Sequence, residues 1–212
     1  MKEEEAKCRI RLSVSGTFLP ALADLLQRGV RVRARVGVPV RVFLTRELGI
    51  DPGYVEDAIQ TVFLDGSPVD DIDAATVPDG ARLALAASMP GLVGISMRRN
   101  SPGSFIRSGI SHRAAPAGDE EKEGLVLVCL YNLVQRDLAR DFLERGFFLE
   151  ASMLAEFFLR NPEVPGTGRM EVNNVETGRA EVLALLEGQG VAPVFFSARF
   201  DNGGVDGTGP KE

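Results

Sequence analysis

Tryptophan is absent from this chain, histidine occurs once, at His112, and cysteine twice in 212 residues. A single histidine leaves the side chain best suited to proton transfer near neutrality at one position only, with no cysteine or acidic residue at ligand spacing. Two cysteines are too few for a disulfide framework or a four-thiolate zinc centre. No apolar run approaches the ~20 residues that a membrane-crossing helix needs. The start, Met1-Lys2-Glu3-Glu4-Glu5, has charge but no apolar stretch behind it, so a signal peptide is not expected. The Gly-Lys-Ser/Thr ending of a phosphate loop and a Gly-x-Ser-x-Gly elbow are also missing. Composition thus removes several enzyme classes and proposes none.

What is present reads as an ordinary folded chain. The hydrophobic share is 44% and the charged share 25%, values that exclude wholesale disorder. The length suits one domain of common size or two small ones. Charge is unevenly spread: residues 1–117 carry a net +2 and residues 118–212 a net −8, together the stated −6. Non-specific nucleic-acid binding grows with the number of phosphates neutralised. With a pI near 5.0, the chain is not expected to bind nucleic acid, and only its first half offers a local basic surface.

Ile10, Leu12 and Val14 alternate with Arg9, Arg11 and Ser13, the two-residue period of a strand with one buried face. Phe18, Leu22, Leu25 and Leu26 then fall at helical spacing, and Gly29 suits a left-handed helix end. Val30, Val32, Ala34 and Val36 alternate with Arg31, Arg33 and Arg35 in a second strand. A helical segment is expected over 40–48. Thr61–Leu64 is followed by Asp65-Gly66, the strongest two-residue hairpin signal. Pro78-Asp79-Gly80 turns into a strand carrying Leu83, Leu85 and Ala87.

Residues 96–124 read as a connector rich in turn formers. Beyond it, Leu125–Tyr131 is a continuously apolar strand and Asn132–Gly146 an amphipathic helix. Residues 147–160 read as a strand running into a helix or as one helix. Strands over 170–174 and 191–200 flank a helix over 179–187, and 205–212 form a flexible tail. The two ordered regions resemble one another: Asp24-Leu25-Leu26-Gln27-Arg28-Gly29-Val30 aligns without gaps on Asp141-Phe142-Leu143-Glu144-Arg145-Gly146-Phe147. That register sets Ile10, Leu12 and Val14 against Leu127, Cys129 and Tyr131, and reads Cys129 as a buried small hydrophobe.

The order strand, helix, strand, helix, hairpin, Pro-Asp-Gly turn and final strand resembles the β-grasp (ubiquitin-like) fold. More narrowly it is similar to the sulfur-carrier family of the molybdopterin-synthase small subunit and the thiamine sulfur carrier. The residues behind the likeness are Phe18–Gly29, Thr61–Val69 and Val77–Leu85; it covers about 8–94, and 125–204 more faintly. It implies an α+β fold, a mixed sheet with packed helices, as two similar units in tandem: 1–95, then the connector 96–124, then 125–204. The units are separate domains or share one sheet; the sequence leaves both open. In those carriers a C-terminal Gly-Gly carboxylate is adenylated and converted to a thiocarboxylate. Here Gly203-Gly204 matches such a tail, but Val205–Glu212 follow and would have to be removed. The same glycines also fit a flexible chain end.

Three other clusters have a functional and a plain reading. Arg31, Arg33 and Arg35 form a partner-binding face for an acidic surface, or a solvated strand face. Arg98, Arg99 and Arg107, among small residues, form an anion-binding cradle for a phosphate or small ligand, or simply part of the connector. Asp65, Asp70, Asp71, Asp73 and Asp79 lack the closing Glu of a calcium loop and read as loop solubility. The expectation is a non-enzymatic ubiquitin-like binding or scaffold protein of the cytoplasm, with a protein partner. No catalytic residues, metal or cofactor are expected. The alternatives are a carrier matured at Gly204 and a phosphate or small-ligand binding protein.

Overall fold

The computed structural model describes residues 8–88, 97–99 and 121–201. They form an α+β protein with mixed sheets and several helices, divided into two compact units. One holds Ala23–Ala139; the other, the terminal unit, joins the described residues of Met1–Leu22 to those of Arg140–Glu212. The dividing lines fall inside two helices, α1 (Leu19–Arg28) and α4 (Asn132–Arg145).

In the 23–139 unit, β2 (Val30–Val36) buries Val30, Val32, Ala34 and Val36 and turns its arginines outward. Val38–Pro39 (β3) pairs with Thr76–Val77 (β6). A helical turn, α2 (Val40–Val42), runs into a π-helical stretch at Phe43–Glu47 that buries Phe43 and Leu44. Asp51 caps α3 (Pro52–Asp57) by accepting the Tyr54 N–H at 3.0 Å. Asp65 and Gly66, with φ of 50° and 81°, turn β4 (Thr61–Leu64) into β5 (Ser67–Pro68), as the dipeptide predicts. The sheet runs β2, β8 (Lys122–Tyr131), β7 (Arg82–Ala86), β4, β5. β7 and β8 are parallel and the other neighbours antiparallel.

The terminal unit has the order β11 (Val175–Glu176), β10 (Arg169–Val172), β1 (Arg9–Ser15), β12 (Pro193–Asp201), β9 (Phe147–Glu150). Its parallel pair is β1 with β12. Phe147–Glu150 is a strand that runs into helix α5 (Ala151–Arg160), followed by α6 (Glu163–Thr167). The 170–174 segment is a strand only to Val172; Asn173 and Asn174, at φ of 50° and 67°, make a tight turn into β11. Helix α7 (Arg179–Gln189) then leads to β12. The core is aromatic: Phe196 meets Phe147 at 6.0 Å and Phe158 at 6.2 Å between ring centroids.

The compact units do not follow the sequence boundaries 1–95 and 125–204. The strand β8, from the second sequence region, lies between β2 and β7 of the first. The strand β1, from the first region, lies between β12 and β10 of the second. The repeat register also needs a correction in its strands. Leu127 and Tyr131 lie half-exposed on the arginine side of β8, whereas Val126, Val128 and Leu130 face the core beside Val32 and Val30. A one-residue slip exchanges the faces of a strand, so the gapless match holds at the helix ends but is out of phase over β8. Cys129 is nonetheless fully buried. The charge run at the connector's end is partly strand, since β8 begins at Lys122.

Candidate functional site

Alternation along β2 places Arg31, Arg33 and Arg35 on one face, Arg33 and Arg35 exposed and Arg31 half-buried. Antiparallel register sets Arg31 beside Leu127, Arg33 beside Leu125 and Arg35 beside Glu123. Leu125 and Leu127 are themselves half-exposed, so an apolar strip runs next to the guanidinium row. Arg35 reaches Glu121 at 3.5 Å, both side chains largely exposed, and its backbone N–H donates to Glu47 Oε2 at 2.9 Å. Such an exposed ion pair contributes at most about 1 kcal/mol.

Pairing extends this face across β7 and β4. Arg82 lies opposite Leu127, Ala84 opposite Cys129, and Phe63 opposite Ala84. Paired residues share a face, so Arg31, Leu127 and Arg82 form one row over three strands. Beside it opens a groove of ≈ 550 Å³ lined by Phe63, Asp65, Gly66, Arg82, Ala84 and Tyr131. Asp65 is tied to the Arg82 backbone, accepting its N–H at 2.8 Å through Oδ1 and donating to its carbonyl at 2.9 Å. Hydrogen bonds to Cys129 and Tyr131 push the Arg82 pKa up. Sequence reading missed Arg82, Leu127, Phe63 and Tyr131 as neighbours of the arginine strand. Their separation in sequence hides them, and only the alternation of Arg82, Ala84 and Ala86 marked one face of β7.

Arg98 and Arg99 do not form an open cradle together. Arg98 donates to Ser88 Oγ at 2.6 Å. The Arg99 guanidinium is spent on carbonyls at the end of α3: Nη2 reaches Val55 O at 2.8 Å and Ile59 O at 2.7 Å, and Nε reaches Ile59 O at 3.1 Å. A cation on these carbonyls complements the helix end. Burial lowers the Arg99 pKa. Nearby, Arg41 bridges Glu56 and Asp73, which holds the Asp73 carboxyl below its ordinary range.

The acidic residues are dispersed over separate structural tasks. Asp71 accepts the N–H groups of Asp73 and Ala74, Asp73 holds Arg41, and Asp79 accepts the Leu125 N–H. Among the described residues no group of three or more His, Cys, Asp or Glu side chains is placed to hold a metal ion, and no helix is long and apolar enough to cross a membrane. Cys8 and Cys129 are free thiols, both buried, and burial raises the Cys8 pKa. Arg107, His112, Gly203 and Gly204 lie outside the described residues. No protein-family model, no curated protein and no solved structure matches this chain.

Proposed function

We propose that the chain is a non-enzymatic, β-grasp-like binding protein that docks an acidic partner protein on the arginine-lined face of the 23–139 unit. The observation that carries this reading is the register: Arg31, Arg33 and Arg82 flank half-exposed Leu125 and Leu127 on one sheet face. An apolar strip beside a row of arginines suits an acidic protein surface, because the charges steer and orient while the apolar strip is buried. The β-grasp part rests on a mixed sheet whose parallel pair, β8 and β7, is flanked by antiparallel strands. Two free thiols suit the reducing cytoplasm. The test is capture of partners at low salt by the wild type and by the charge-reversed R31E/R33E/R35E protein. The reversal should release them; a variant that retains every partner overturns the reading.

One observation favours a second reading, a sulfur-carrier-like protein. Strand β12 ends at Asp201, and Gly203-Gly204 follow it at the position a carrier tail would take. This reading requires cleavage after Gly204. The intact mass of protein from its native source decides it: a chain ending at Gly204, with one oxygen replaced by sulfur, supports it, and a chain retaining 205–212 refutes it.

A further inference from the structure

We infer that the groove between Phe63 and Tyr131 is an anchor site for an extended acidic segment of the partner, seating an apolar side chain two residues from an aspartate or glutamate. The inference rests on the docking reading above and specifies what the partner must carry. Phe63 and Tyr131, both half-exposed, are the aromatic lining of the groove, and Ala84, on β7 between their strands, leaves room above the sheet. The cation is Arg82, an exposed residue whose pKa is raised by Cys129 and Tyr131 and not by a carboxylate. Asp65, the acid among the described lining residues, points Oδ1 at the Arg82 N–H. The groove therefore pairs apolar walls with a guanidinium for which no ion pair with a carboxylate is found among the described residues.

An extended chain supplies both groups from one side. Its side chains at i and i+2 project the same way, about 7 Å apart, whereas i and i+1 face opposite directions. An apolar residue against Phe63, Ala84 and Tyr131 then brings the carboxylate two positions on to Arg82, with Arg31 two strands away on the far side of Leu127. A single-stranded nucleic acid would also offer a flat apolar group and an anion. A net charge of −6 disfavours a nucleic acid, whose phosphates repeat at every nucleotide, more than a peptide with one or two carboxylates.

The test is an NMR titration of the ¹⁵N-labelled full chain with the blocked peptide Glu-Ser-Phe-Ser-Glu. Saturating shifts at the amides of residues 63, 82, 84 and 131 are expected. Binding should weaken about tenfold when the peptide's phenylalanine becomes alanine, when its glutamates become lysines, or in the Arg82→Gln protein. Because Arg82 is exposed, that variant keeps the fold, which its own amide spectrum checks. If the alanine peptide binds as well as the parent, the anchor site is overturned while docking of an acidic partner stands. Loss of all acidic-peptide binding overturns both, and tighter binding of an oligothymidine at the same amides replaces the peptide by a nucleic acid.

Discussion

The Asp79 carboxylate accepts the backbone N–H of Leu125 at 3.0 Å, across 46 positions of sequence. The Gly80 N–H donates to the carbonyl of that same Leu125 at 2.8 Å. The Pro78-Asp79-Gly80 turn thus holds both backbone groups of one β8 residue. Asp79 also fills the space above Gly124, where an added Cβ would meet its Oδ1 at 2.6 Å and Val36 Cγ2 at 2.8 Å.

Asp79→Ala should lower the stability of the protein by about 1.5 kcal/mol, the lower end of the range for a hydrogen bond to a charged group because this one is exposed. Gly124→Ala should cost a similar amount, through the displacement of Asp79 and Val36. Because both changes strike one contact, the double variant should cost less than the sum. Urea unfolding midpoints of the four proteins read this out; strict additivity would mean that Asp79 does not hold β8.

The placement of β8 and β1 predicts how the chain tolerates division. A fragment of residues 1–95 lacks the strand that pairs with both β2 and β7, and a fragment of 121–212 lacks the strand between β12 and β10. Each alone should fail to give a dispersed amide spectrum, whereas the two expressed together should. A folded 1–95 fragment would contradict the pairing.

Arg99→Met should destabilise by about 2 kcal/mol, since it leaves the Val55 and Ile59 carbonyls without the guanidinium that satisfies them. Inorganic phosphate should leave the Tm of the wild type unchanged, because Nε and Nη2 of Arg99 are already engaged by the Val55 and Ile59 carbonyls. A phosphate-dependent rise in Tm that Arg99→Met abolishes would restore the anion-binding role.

Tyr54 donates to Asp137 Oδ2 at 3.0 Å, and burial first, then that hydrogen bond, pushes its pKa up from 10.0 to about 12. The folded chain therefore holds this proton in a range where the unfolded chain has released it. The contribution is fully present below pH 10 and is lost as pH rises through 12. Stability measured between these limits should fall more steeply for the wild type than for Tyr54→Phe. Equal slopes would show that folding does not raise the pKa of this phenol.

Much of the local structure is legible in the sequence. Asp65-Gly66 is the turn it spells, and Gly29 and Gly146, aligned in the repeat, take φ of 100° and 84° at the passage from helix to strand. A side chain is disfavoured in that left-handed region, so the residue type reports the backbone directly. The arginine alternation of β2 likewise placed its three side chains on one face. The groove was not legible. Phe63, Arg82 and Tyr131 come from β4, β7 and β8, and nothing local to any of them names the other two.

The sequence by itself determined most elements, their turns and the buried faces of β1 and β2, because those follow from side-chain period and backbone preference within a few residues; over the continuously apolar β8 it did not set the face. Tertiary structure alone decided which strands pair. Both β1 and β8 offer three alternating apolar residues to a core, Ile10, Leu12 and Val14 or Val126, Val128 and Leu130, so the hydrophobic pattern fits either sheet. Each of the two strands also makes a close approach at a glycine. Gly124 admits Asp79 against β8, and Gly168 admits β1, where a Cβ would meet Leu12 Cδ1 at 2.7 Å and Ser13 O at 3.0 Å. Packing at that distance depends on residues far apart in the chain, which is why it exists only once the strands have met.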